Sequence, residues 1–291
     1  MEETQRDVKR LNRPDFLAIG HLTKDLQDGG YTIGGAVTFA SLTARNLGLR
    51  AAVVTRASPD LDLYPLFQGI EVLSLPSEAT TTFKNVYFGE MRVQYIGAVA
   101  DRIEAEDIPP GWREARIVYL APLAGELGTD IVHLFPHSLL GVSPQGWLRR
   151  WDEEGRVYPK AWEGAEEVLS RADAVILSEE DVGGDEGTIL DYASRARILV
   201  VTQGSKGATV YQGGEARRLP AFKVKEVVDP TGAGDIFAAA YLIELERSGD
   251  PYRAAVFANC VASISVEKSG TAEIPTLEEV RRRLAEIGWR Q

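Results

Sequence analysis

Cysteine is nearly missing from this chain: of 291 residues, only Cys260 is one. That excludes an intrachain disulfide framework and any multi-cysteine zinc site, and it fits a reducing compartment, with Cys260 expected as a small buried hydrophobe. Long apolar runs are missing too. Nothing reaches the 18 or more consecutive apolar residues of a membrane span. The charged opening MEETQRDVKRLNRPDF lacks the apolar stretch of a secretory signal, so a cytoplasmic protein with no membrane partner is expected. The third absence is a surplus of positive charge. The 32 Lys and Arg stand against 43 Asp and Glu, a formal charge of −11, which repels an extended polyanion and argues against nucleic acid as a partner. The densest basic run, RRRLAEIGWRQ, has the spacing of a solvated face and suits a helix C-terminus. Small anions stay allowed, because backbone N–H groups bind phosphate without net positive charge.

What is present is core material, 44% of residues being apolar, in a length that suits one large α/β domain or a domain with a small appendage. Short apolar runs at 15–22, 51–56, 115–122, 172–178 and 197–204 predict strands buried on both faces of a parallel sheet. Helical patterns fall at 36–47, 162–171, 185–195, 235–247, 252–267 and 276–287. This alternation predicts a doubly wound α/β fold whose ligand sits beyond the carboxyl ends of the strands. Residues 80–103, two β-rich arms around GEM, break the alternation and predict a hairpin or a piece of a small separate sheet. Two strands alone are marginal in water, so the hairpin is expected to pack on the main domain or against another subunit.

The most informative stretch is DPTGAGD, Asp229 to Asp235. Ile236, Phe237, Ala240 and Tyr241 recur behind it at helical spacing, so a helix is expected to begin near Gly234. Glycines at its entrance let the backbone approach a ligand, and the N–H groups of the first turn point outward as an anion site. A carboxylate there repels a bound phosphate unless it has another task. Taking a proton from an attacking alcohol while the amides hold the transferred phosphoryl group is such a task. Complementing the helix dipole is the simpler alternative for Asp235.

DPTGAGDIFAAAYL resembles the C-terminal signature of the ribokinase family, the PfkB-type carbohydrate kinases. In the family's order, IGGAVTFASLTARNLG (33–48) resembles its N-terminal glycine pair and helix, VTQGSKGATVY (201–211) its nucleotide-site strand and turn, and ANCVASISVEKSGT (258–271) the helix and loop bordering the adenine. The resemblance implies a single ribokinase-like domain over residues 1–291, a doubly wound, mostly parallel sheet carrying a small β lid from about residues 80–103. It also implies an ATP-dependent kinase acting on a hydroxyl of a small sugar or a cyclitol such as myo-inositol. Asp235 becomes the catalytic base, and Gly232, Ala233 and Gly234 supply the amides that hold the moving phosphoryl group. Asp25, in GHLTKDL, is implied to bind acceptor hydroxyls, with Gly34 and Gly35 bringing backbone close to the same acceptor and Asp229 near the transfer site. Thr202, Gly204, Lys206 and Gly207 are implied at the nucleotide phosphates, and Asn259 near the adenine.

Two departures stand out. Pro230 replaces the commoner Thr, removing a hydroxyl and an N–H, which leaves dependence on a monovalent cation such as K⁺ open. Ser178-Glu179-Glu180-Asp181 stands where many relatives carry Asn-x-x-Glu, so Asp181 is the candidate to hold a hydrated Mg²⁺ through water. The expected lid covers the acceptor and excludes water, with Tyr87, Phe88 and Tyr95 as its apolar surface, and lid pairing makes a homodimer an expectation. His133 and His137 are separated by Pro136 and are not read as a metal pair. His21 is read as structural, and Trp147, Trp151 and Trp162 as anchors of a long surface connection. A nucleoside kinase of the same family is the alternative within the class. A non-catalytic sugar or nucleotide sensor on the same scaffold is the alternative outside it.

Overall fold

The computed structural model describes residues 13–88, 91–268 and 270–289. The chain's opening and the hairpin tip at Gly89 and Glu90 lie outside them, as do the side chains of Tyr87 and Phe88. In chain order come β1 (Phe16–Ile19), β2 (Thr23–Gln27), β3 (Gly30–Gly34), α1 (Ala36–Asn46), β4 (Ala51–Ala57), β5 (Glu71–Pro76), β6 (Thr82–Phe88), β7 (Met91–Ile96), β8 (Ile117–Leu120), β9 (Leu139–Val142), β10 (Arg149–Trp151) and β11 (Val157–Pro159). Then follow α2 (Ala165–Arg171), β12 (Ala174–Ser178), α3 (Glu186–Arg195), β13 (Leu199–Thr202), β14 (Ala208–Gln212), β15 (Glu215–Leu219), α4 (Ala233–Ser248), α5 (Pro251–Ser265) and α6 (Leu277–Ala285). A nine-stranded sheet runs β15-β14-β13-β12-β9-β8-β1-β4-β5. It is parallel from β13 to β5, and the β13–β14 and β14–β15 pairs are antiparallel.

The strands are apolar on both faces because both faces are covered. Along β1, Phe16 and Ala18 join a core that includes α1, α4, α5 and α6, while Leu17 and Ile19 join the opposite core with α2 and α3. β12 divides in the same way, with Ala174 and Ile176 on the first side and Val175 and Leu177 on the second. The doubly wound expectation therefore holds at the level of single side chains. Cys260 is fully buried, as expected of a small hydrophobe.

The smaller sheet runs β3-β2-β6-β7. The expected hairpin is there as β6–β7, and it is half of the sheet; the other half is β2–β3, whose DGGYTIGG stretch also reads as turns. β2 pairs antiparallel with β3 and parallel with β6. Four strands give the hairpin the support that two lack.

Two further segments fold differently from their sequence impression. β9, LLGV, is a four-residue central strand on which α4 lies: a Cβ at Gly141 would overlap the side chain of Leu242. The Trp-rich connection forms the antiparallel hairpin β10–β11. Trp147 and Trp162 anchor it as expected, stacked 5.9 Å apart with Tyr192 edge-on to Trp162 at 5.4 Å. Trp151, paired with Val157 in this hairpin, remains 38% exposed rather than packed into the body.

Gly141→Ala is expected to destabilise the fold by about 1–3 kcal/mol through overpacking under α4. Combined with Leu242→Ala, which vacates the same space, it is expected to cost less than the sum of the two single changes. Denaturant unfolding of the two single variants and the double variant measures both.

Candidate active site

α4 begins against α1. Gly232 precedes it in a left-handed conformation (φ +74°), and a Cβ there would overlap the ring of Phe39 in α1, so glycine is demanded by both backbone and packing. The Ile236 N–H donates to the Gly232 carbonyl at 2.9 Å and the Ala233 N–H to that of Pro230 at 3.2 Å. Gly234 and Asp235 sit in the first turn, where N–H groups have no intrahelical carbonyl to bond. Asp235 projects from this turn, half-buried. Tyr119, fully buried on β8, lies beside it, and its hydroxyl oxygen accepts from Ser143 Oγ at 2.7 Å, which leaves its own proton for Asp235.

Burial pushes the Asp235 carboxyl from the ordinary aspartate value of 3.8 up to about 7. Four neighbours modulate that: Arg149 opposes the rise, Asp181 and Asp25 add to it, and Tyr119 opposes it by hydrogen bonding. Three carboxylates from distant parts of the sequence and one guanidinium therefore share a single electrostatic site.

Asp25 reaches it from β2. Burial raises its pKa, against a lowering bond from Thr23 Oγ1 at 2.8 Å. A Cβ at Gly34, its diagonal neighbour on β3, would overlap Asp25 Oδ2, so Gly34 makes room for the carboxylate. Gly35 follows as the N-cap of α1. Asp181 is set by a reciprocal capping box. Ser178 Oγ accepts from the Glu180 N–H at 3.2 Å, and the Ser178 N–H donates to Asp181 Oδ2 at 2.9 Å. Gln145 Nε2 donates to the other oxygen at 3.2 Å. The backbone of Ser178 thus orients Asp181, while its hydroxyl caps the Glu180 N–H.

Other candidates group elsewhere. Asp229 accepts from the Thr231 N–H at 2.9 Å and the Gly270 N–H at 3.2 Å, tying the glycine turn to the loop after α5. Thr202 ends β13, and the turn after it carries Gly204 and an exposed Lys206. Gly207 closes that turn under the Leu219 carbonyl, and Asn259 Nδ2 donates to the carbonyls of Leu219 (3.0 Å) and Pro220 (3.2 Å). Gly207 and Asn259 therefore meet through the end of β15. His133 faces Glu167 at 3.1 Å, and among the described residues no three His, Cys, Asp or Glu side chains cluster as a metal centre.

Sequence reading missed Arg149, Tyr119 and Gln145. Arg149 sits in a run that reads as solvated, and only its place in a strand separates it from its neighbour: Arg149 is half-buried over the Phe83 ring, while Arg150 points the other way, over Tyr158. The signal for Tyr119 was its position at the carboxyl end of a core strand.

Two pH measurements test this electrostatic account. The raised pKa means that ionised Asp235 destabilises the fold above about pH 7, and that the penalty vanishes as pH falls toward about 4. Asp235→Asn is expected to melt above the wild type at pH 8 and level with it at about pH 4. Arg149→Met removes the one cation opposing the shift, so Asp235 is expected to titrate higher still, followed by carbon NMR of its carboxyl.

Residues 156–278 match the pfkB family carbohydrate kinase profile. Cytidine kinase of Thermococcus kodakarensis is 27% identical over 256 residues, which cover 80% of this chain and 89% of that protein. Inositol 3-kinase of Arabidopsis thaliana is 25% identical over 307 residues, covering 97% of this chain and 84% of its own. The solved structure of Arabidopsis thaliana ribokinase complexed with ribose and ATP superposes with a TM-score of 0.75 at 18% identity, covering 94% of this chain and 99% of that one. At that identity the structural likeness is one of fold. With the glycine turn, the matched segment, the mostly parallel sheet and the small sheet beside it all in place, the chain is similar in its C-terminal segment to the pfkB family carbohydrate kinases and in its fold to ribokinase.

Proposed function

We propose that this kinase transfers the γ-phosphoryl group of ATP to a hydroxyl of a small sugar or cyclitol, with Asp235 as the base. One observation carries the reading: a carboxyl raised to about 7, in the first turn of α4, sharing its site with Asp25 and Arg149. A base poised near neutral pH takes the proton of the acceptor hydroxyl as its oxygen bonds to the γ-phosphorus and ADP leaves. The N–H groups at Gly232 to Gly234 and the guanidinium of Arg149 stabilise the charge on the transferred group. Of these amides, Ala233's is the one that also bonds a carbonyl.

The lid supports a hydroxyl-rich acceptor. Asp25 pairs with Thr32 on β3 and Phe83 on β6, and one step further along the same face Asn85 opposes Gln94, whose Nε2 donates to Asn85 Oδ1 at 3.1 Å. A carboxylate can accept two hydrogen bonds from vicinal hydroxyls, and a deoxy analogue leaves it unpaired. Thr202, Gly204, Lys206 and Gly207 are assigned to the donor phosphates. Asn259 is assigned to the adenine side, acting by holding the end of β15, and Asp229 to holding the glycine turn.

Asp181 fits a hydrated Mg²⁺. Each of its oxygens accepts one hydrogen bond and keeps acceptor capacity, and this ion retains waters and needs few carboxylates. When bound, it would neutralise donor phosphate charge.

A nucleoside acceptor is the second reading, favoured by the likeness to cytidine kinase. The outer face of the lid exposes the registered pair Leu26 and Tyr31, 43% and 48% accessible, which is the surface a lid-to-lid homodimer would cover. Light scattering at twice 31.8 kDa tests the dimer.

Reaction with ATP, Mg²⁺ and a panel of sugars, cyclitols and nucleosides, followed by ADP release and product mass, tests the proposal. A phosphorylated polyol is expected, with kcat rising with pH through about 7 as Asp235 ionises. Asp235→Asn is expected to lower kcat by about 10²- to 10⁴-fold with ATP binding unchanged. Equal turnover by the variant overturns the role of Asp235, and ATP binding without product across the panel favours the sensor.

A further inference from the structure

The chain passes four times between the large sheet and the lid, and all four passages converge on His21. The first is His21 itself, between β1 and β2, with its side chain fully buried. Its Nε2 lies 2.9 Å from the carbonyl of Asp101, where the chain leaves the lid after β7. Its Nδ1 lies 2.8 Å from Thr81 Oγ1, where the chain enters β6. The return from β3 to α1 runs at Gly35, in a left-handed conformation (φ +91°) that packs it on His21: a Cβ there would stand 2.7 Å from the His21 carbonyl.

These partners fix the tautomer. A carbonyl only accepts, so Nε2 carries the proton and donates to Asp101. With the proton of the neutral ring on Nε2, Nδ1 is an acceptor, so Thr81 Oγ1, which accepts from the Ala100 N–H at 3.0 Å, gives its own proton to Nδ1. Beneath the ring, the buried Glu126 carboxylate accepts from the N–H groups of His21 (2.8 Å), Leu123 (3.0 Å) and Ala124 (2.8 Å), which fastens the first passage to the loop after β8. The His21 ring is thus bonded to both β6–β7 passages while its backbone is held to the large sheet.

We propose that His21, through Thr81 and Asp101, is the positioning residue that holds the lid in register with the large sheet and so sets Asp25 relative to Asp235. Asp25 is four residues beyond His21, and the strand between them pairs with β6 immediately after Thr81: the Lys24 N–H donates to the Thr81 carbonyl at 2.9 Å. Loosening the imidazole–hydroxyl bond lets the lid shift as a unit, which misplaces the carboxylate assigned to the acceptor and leaves the ATP side of the sheet untouched. The catalytic consequence rests on the kinase reading above; the mechanical one does not.

Thr81→Val, with Thr81→Ser as the conservative partner, separates these. Thr81→Val is expected to raise KM for the accepted polyol by about tenfold, with KM for ATP within about twofold of wild type, and Thr81→Ser to restore both. Amide hydrogen exchange, which needs no substrate, is expected to quicken in β2, β3, β6 and β7 of Thr81→Val and to stay unchanged in β1, β4 and β8. A lower melting temperature with lid exchange and both KM values unchanged overturns the proposal and leaves Thr81 a packing residue. Faster lid exchange in a protein that phosphorylates nothing on the panel sustains the hinge and sinks the kinase reading alone.

Discussion

Helix α4 starts where α1 allows it to. The contact between Gly232 and the Phe39 ring fixes the first turn, and ten consecutive residues behind it, Ile236 to Leu245, are buried. A helix buried on that scale is locked by packing rather than by propensity, so its end cannot fray away from the cleft. Desolvation of the Asp235 carboxyl at the head of this packed helix lifts it toward neutrality. The geometry and the acidity of the site therefore have one cause, and anything that moves α4, such as a side chain at Gly141 beneath Leu242, disturbs both.

The proposed acceptor carboxylate is built on a different element. The large sheet holds Tyr119, Asp181 and the turn after β13, whereas Asp25 rides on the lid. A site split between a rigid sheet and a smaller sheet joined by four chain passages can open for exchange and close to exclude water, the condition under which phosphoryl transfer to an alcohol outruns hydrolysis. Such an arrangement needs the passages to keep register. The bonds among buried His21, Thr81 and Glu126, and from His21 to the carbonyl of Asp101, supply that register.

Much of this was legible in the residues. Strands apolar at every position announced a sheet covered on both sides, and DPTGAGD announced a glycine-led helix entrance with an unexplained carboxylate. What stayed hidden has physical reasons. β2 and β3 are polar, glycine-bounded and partly exposed, so the residues carry no strand pattern of their own, and the strand holding Asp25 was legible only through the family resemblance of GHLTKDL. β9 is four residues long, with a glycine whose purpose is visible only with Leu242 above it. Arg149 was lost because inward and outward arginines look alike in RRW. The serine at 178 departs from the family pattern, and the structure gives its hydroxyl a capping task in the turn that carries Asp181.

The most direct test of the account is a crystal structure with a non-hydrolysable ATP analogue and the accepted polyol bound together. The account predicts the reacting hydroxyl within hydrogen-bond distance of the Asp235 carboxylate, neighbouring hydroxyls on Asp25, and the terminal phosphate at the first turn of α4 beside Arg149. A polyol bound away from Asp235, or a phosphate chain directed away from α4, would contradict it.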